Sequence, residues 1–126
     1  MELPAEYNEL ANKGISQEEL LDKFKLQLEK DLNMSHTAFH VGALNDLSLN
    51  ALTHQLSEAL QRMPQGSFQE LLYRVDLNEH QLFAKTKENK ETNPHEVIAQ
   101  QIIKRVLQKV IFKLIYSKDH DNTKRP

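Results

Sequence analysis

Asn93 to Ser117 reads "NPHEVIAQQIIKRVLQKVIFKLIYS", and its apolar residues return every three or four positions rather than every two. Ala99, Ile103, Val106, Leu107, Val110 and Leu114 fall on one side of a helix. Ile102, Ile111 and Ile115 widen that side, while Gln101, Arg105 and Gln108 point away. The start is well marked. Asn93 is a good N-cap, Pro94 suits the first helical position because its missing N–H is not needed there, and Glu96 stands three residues after the cap. A helix from Pro94 to Ser117 rises roughly 36 Å. An apolar arc this broad needs cover on more than one side, so the rest of the chain is expected to gather round it.

The segments upstream supply that cover. "ISQEELLDKFKLQLEKDL", residues 15–32, opens with a capping box of Ser16 and Glu19, with Ile15 and Leu20 placed as a hydrophobic staple. Leu20, Leu21, Phe24, Leu28 and Leu32 then make one stripe, and Leu26 lies off it. "DLSLNALTHQLSEALQRMP" carries a second stripe of Leu49, Leu52, Leu56, Ala59, Leu60 and Met63, capped by Ser48 or Asp46 and ended by Pro64 and Gly66. Ser67 with Glu70 reads as another capping box, opening "SFQELLYRVD". "VDLNE" reads as a helix boundary, restarted either by Asn78 with Gln81 or by Asp76 with Glu79. "NMSHTAFHVGALN", residues 33–45, fits a short helix or a loop. "KTKENKETN" is a charged loop. Residues 1–14 have no sustained periodicity and read as a mobile arm, and 118–126 as a disordered tail.

The expected fold is therefore all-α: a single-domain bundle of four to five helices, residues 15–117, around a long C-terminal helix. Composition agrees. The 126 residues include only three glycines and four prolines, too few for the turns of a sandwich or barrel. There is no cysteine, which removes disulfides, thiolate metal sites and cysteine nucleophiles. No apolar run approaches the roughly 20 residues that span a bilayer, and "MELPAEYNEL" has neither a basic start nor an apolar stretch. A cytoplasmic protein is the expectation.

The net charge of −2 hides an asymmetry: residues 1–31 hold eight acids and four bases, residues 94–126 three acids and seven bases. Either the two ends attract each other, or the basic end meets an acidic partner or nucleic acid. For nucleic acid, Lys104, Arg105, Lys109 and Lys113 lie on one helix, but aromatic residues are few and no arginine-rich recognition helix stands out.

Other chemistry is sparse. His36 and His40 are four apart, the spacing of a two-histidine metal site if that segment is helical. A third ligand would have to come from Asp31, Asp46 or His54. There is no nucleophile elbow, phosphate-cradling glycine loop or dinucleotide fingerprint, so no enzyme activity and no cofactor are expected. Phe112 falls about opposite the buried face of the long helix. It is covered by the N-terminal arm or exposed for a partner. Self-association, with a symmetric dimer as the default, is the expected use of such a face, with Arg105 and Lys109 beside it.

"LLYRVDLNE" with "IAQQIIKR" (98–105) resembles a family of small, uncharacterised bacterial helical proteins that carry an L-Y-R-[IV]-D stretch and an I-A-Q-x-I-I-x-R stretch. The likeness covers roughly residues 67–117 and rests on Leu72, Tyr73, Arg74, Asp76, Ile98, Ala99, Gln100 and Arg105. It implies a helical fold and a bacterial cytoplasmic setting, with no activity attached. Leu72-Tyr73-Arg74 also resembles the motif of the LYR-motif mitochondrial assembly factors. There it lies near the start of a small basic bundle, whereas here some seventy residues precede it and the chain is not basic. The expected role of Tyr73, Arg74 and Asp76 is architectural: hydrogen bonds and an ion pair that pin the "VDLNE" boundary to the long helix.

Overall fold

A computed structural model describes residues 3–42, 48–88 and 93–124. Among them are six helices and no strand: α1 (Tyr7–Asn12), α2 (Gln17–Met34), α3 (Ser48–Arg62), α4 (Gln65–Val75), α5 (Glu79–Glu88) and α6 (Pro94–Lys124). The long helix organises the rest, since α6 packs against each of the other five. Val97, Ala99, Ile102, Ile103, Val106, Leu107, Val110 and Ile111 of α6 are all buried. All but Val97 join Leu20, Phe24, Leu28 and Leu32 of α2, Leu49 and Leu56 of α3, and Leu71 and Val75 of α4 in one continuous core. The fold is thus the expected all-α bundle, with one helix more than the stripes alone suggest.

The helix starts follow the caps. The Glu19 N–H donates to Ser16 Oγ at 3.1 Å, and the His95 N–H to Asn93 Oδ1 at 2.9 Å. At the "VDLNE" boundary Asn78 wins, accepting from the His80 N–H at 2.7 Å, with Leu82 buried behind it. The Ser67 box does not form. α4 starts at Gln65, two residues earlier, with Pro64 at its N-cap, and the Phe68 N–H donates to the Pro64 carbonyl at 3.0 Å. The earlier start gives Phe68 a helical hydrogen bond and lays its ring against the core. The cap at the start of α3 falls partly on residues 43–47, outside the described residues, as do 89–92 of the charged loop.

Three helices end in the same way. A residue in the left-handed region follows the last turn, and the N–H of the residue immediately after it reaches back to close the helix. For α1 the residue is Gly14 (φ 84), with the Ile15 N–H donating to the Leu10 carbonyl at 3.1 Å. For α2 it is His36 (φ 63), with Thr37 N–H to Leu32 carbonyl at 3.0 Å. For α4 it is Asp76 (φ 61), with Leu77 N–H to Leu72 carbonyl at 2.9 Å.

These ends correct one expectation and decide between helix and loop for the described part of a second segment. Residues 1–14 are not wholly irregular: α1 lies against α6, Leu10 is fully buried, and Tyr7 Oη donates to the Ile15 carbonyl at 3.4 Å. Residues 35–42 are loop, because the left-handed backbone at His36 stops α2. That loop is held to α2 by the Val41 N–H on Glu29 Oε1 at 2.7 Å and the Phe39 N–H on Asn33 Oδ1 at 3.2 Å. At the other end, α6 passes Ser117 and continues to Lys124, where a disordered tail is expected from the sequence. No breaker precedes Pro126, and at 1.5 Å per residue the helix rises roughly 46 Å.

Candidate interaction surface

Two rows of side chains flank the buried stripes of α2 and α6. On α2, Lys23, Leu26, Gln27, Lys30 and Met34 recur at three- and four-residue spacing and share one arc. On α6, Arg105, Lys109, Phe112, Lys113 and Tyr116 do the same. The fold sets the two rows side by side. Three clefts run between them and share walls. One of about 710 Å³ reaches the end of α4 and is lined by Asp31, Met34, Tyr73, Arg74 and Lys109. One of about 500 Å³ is lined by Arg105, Phe112 and Tyr116. One of about 250 Å³ is lined by Lys23, Leu26 and Leu114. Gln27 borders all three.

This face gathers most of the exposed apolar bulk. Leu26 (61% exposed), Met34 (45%), Tyr73 (86%), Phe112 (50%) and Tyr116 (69%) all line it, and among the described residues only Phe83 of the large exposed apolar side chains stands elsewhere, on α5. The N-terminal segment does not cover Phe112. Leu3–Glu6 lie on the other flank of α6, over Gln101, Lys104 and Gln108.

At the head of the face, polar contacts tie α6 to the end of α4. Arg105 Nη2 meets Asp76 Oδ2 at 3.0 Å, and Lys109 Nζ donates to the Arg74 carbonyl at 2.8 Å, a cation on a helix C-terminus. Arg74 Nη2 pairs with Glu70 at 3.4 Å and Nη1 donates to Met34 Sδ at 3.6 Å. Asp76 therefore ties the junction to α6 through its side chain, Arg74 does so only through its carbonyl, with its guanidinium turned to Glu70 and Met34, and Tyr73 does not: it is exposed at the mouth of the cleft. Arg105 and Lys109, expected beside Phe112 as contact residues, are engaged within the fold.

Asp31 is the unusual group. It is 6% exposed, Gln27 Nε2 donates to its Oδ1 at 3.1 Å, and its Oδ2 is buried without a partner, as is Arg74 Nε. Burial pushes the carboxyl above the ordinary carboxylate range; the Gln27 hydrogen bond and the charges of Lys109, Arg74 and Lys30 act the other way without cancelling it. The folded state thus binds this proton more tightly than the unfolded chain does. The stability it brings is complete below the unfolded pKa and is lost as pH rises through the folded one. Asp31→Asn mimics the protonated acid. It is expected to raise Tm at pH 7 and to leave it nearly unchanged at pH 3, in thermal melts followed by circular dichroism.

The two histidines do not form the metal pair that a helix would give them. His36 Nε2 lies 3.7 Å from Glu70 and His40 Nδ1 3.5 Å from Glu29, carboxylates on different helices. His54 sits between Glu58 and Glu96, each at 3.4 Å, and Asp46 lies outside the described residues. Among the described residues no three His, Asp or Glu side chains converge as a metal site would need. Among them also, no helix is long and apolar enough to cross a membrane. No protein-family model, curated protein or solved structure matches the chain.

Proposed function

We propose that this chain is a non-catalytic protein–protein interaction module that binds through the α2–α6 face. One observation carries the reading: five exposed large apolar side chains, drawn from three helices, lie along one connected set of clefts instead of being scattered. The bacterial cytoplasmic setting implied by the resemblance of "LLYRVDLNE" and "IAQQIIKR" belongs to the same proposal.

Self-association is the second reading, favoured by the acidic first third and basic last third of the chain. A symmetric dimer through this face would oppose the same lysines on both copies. A second copy would instead have to offer its acidic end, head to tail. Nucleic acid is less well supported, because Arg105 and Lys109 are already held by α4 and the face between the cations is apolar.

The test is a single substitution at the centre of the face. Phe112→Ser is expected to leave Tm within a few degrees of wild type, since the ring is half exposed and outside the core. It is also expected to abolish whatever protein co-purifies with the chain from its own cells. Light scattering across a hundredfold concentration range separates a second copy from another protein. A partner retained at full level by Phe112→Ser removes the reading.

A further inference from the structure

We propose that the occupant of the α2–α6 face is an acidic amphipathic helix; this rests on the reading of that face as a protein-binding site and names its partner's chemistry. The shape favours a helix. The rows from Lys23 to Met34 and from Arg105 to Tyr116 are the same length, about 17 Å at 1.5 Å per residue. They run antiparallel, with Leu26 and Leu114 sharing one cleft and Asp31 and Lys109 another. A groove between two antiparallel helices takes three turns of a third, whose i, i+3, i+4 and i+7 side chains fill the clefts. An extended strand has no sheet edge to join among the described residues.

Charge selects the partner's sign. Lys23, Lys30 and Lys113 stand along the face with no salt bridge among the described residues. The acids nearby are largely engaged elsewhere. Asp76 is paired with Arg105, Glu70 with Arg74, and Asp31 is sunk below the surface beside Lys109, Arg74 and Lys30, three cations to its one carboxyl. The face is therefore cationic on a chain whose net charge is −2. Glutamates flanking the apolar stripe of a bound helix would meet the three lysines at the rim, where opposite charge sets orientation and on-rate.

The probe is a labelled 14-residue amphipathic peptide with leucines at i, i+3, i+4 and i+7 and glutamates on either side. Its counterpart has lysines in place of the glutamates. Fluorescence anisotropy with the full chain is expected to show the acidic peptide binding at least tenfold more tightly, with affinity falling as salt rises. Lys30→Glu with Lys113→Glu is expected to reverse that preference while leaving Tm near wild type. Equal binding of both peptides, no binding of either, or an unchanged preference in the double variant overturns the proposal. So does displacement of the acidic peptide by a single-stranded oligonucleotide, which would assign the face to nucleic acid. If the peptides fail while a cellular partner still depends on Phe112, the inference falls and the protein-binding reading stands. If both fail, both fall.

Discussion

Ile103→Ala is expected to destabilise the fold by ~2–5 kcal/mol, which for a domain of this size lowers Tm by roughly 8–20 °C. Ile103 is fully buried in the first half of α6, the helix that packs against each of the other five described helices. Removing its branched side chain loses the transfer energy of the deleted carbons. It also leaves a cavity that several converging helices cannot collapse to fill. Phe112 on the same helix provides the contrast, nine residues on and about opposite: half exposed, lining a cleft, and expected to matter little to stability. Thermal and urea unfolding of Ile103→Ala and Phe112→Ser together test whether α6 has one face for folding and another for contact. Comparable losses at both positions would mean that Phe112 is core and the proposed surface does not exist.

The helix that Ile103 anchors was legible because two independent features agree there. The cap Asn93-Pro94 fixes where it begins, and an unbroken three-four spacing fixes which side is buried. Its far end was not legible. Periodicity stops at Ser117, yet "KDHDNTK" contains nothing that breaks a helix, so α6 continues past the last apolar residue. The start of α4 was misplaced for a related reason. Pro64 and Gly66 read as punctuation, but proline can stand at an N-cap and glycine is cheap in a first turn, where backbone donors have no helical partner in any case.

The contact face was half visible. Leu26 and Phe112 stand off their stripes, and each alone says only that something apolar faces outward. That they share a surface depends on α2 lying beside α6, a tertiary fact with no local trace. Asp31 looks like any solvated acid on an amphipathic helix until α4 and α6 close over it. Arg105 and Lys109 look like free cations until the end of α4 arrives to receive them. Sequence pattern finds the face a residue occupies on its own helix, and the neighbour that covers it is set by packing.

Leu10→Ala carries the second large effect, and it separates two accounts of the N-terminus. On a mobile arm the substitution would change nothing. Leu10 is fully buried, however, and its carbonyl accepts the Ile15 N–H that closes α1 around Gly14. The apolar pair on either side of that glycine, Leu10 and Ile15, is the hydrophobic contact that accompanies this kind of helix end. It was present in "LANKGI" for a reader looking for a cap rather than a stripe, which six residues are too few to make. The expected loss is therefore that of a core leucine, ~2–5 kcal/mol. Gly14→Ala supplies an independent check, because an added Cβ would touch nothing there and the φ of 84 makes any cost purely one of backbone conformation, ~1 kcal/mol. Urea titrations of both variants, with amide exchange over residues 7–15, decide the matter. Two near-zero shifts and unprotected amides would detach α1 from the core and leave that flank of α6 open.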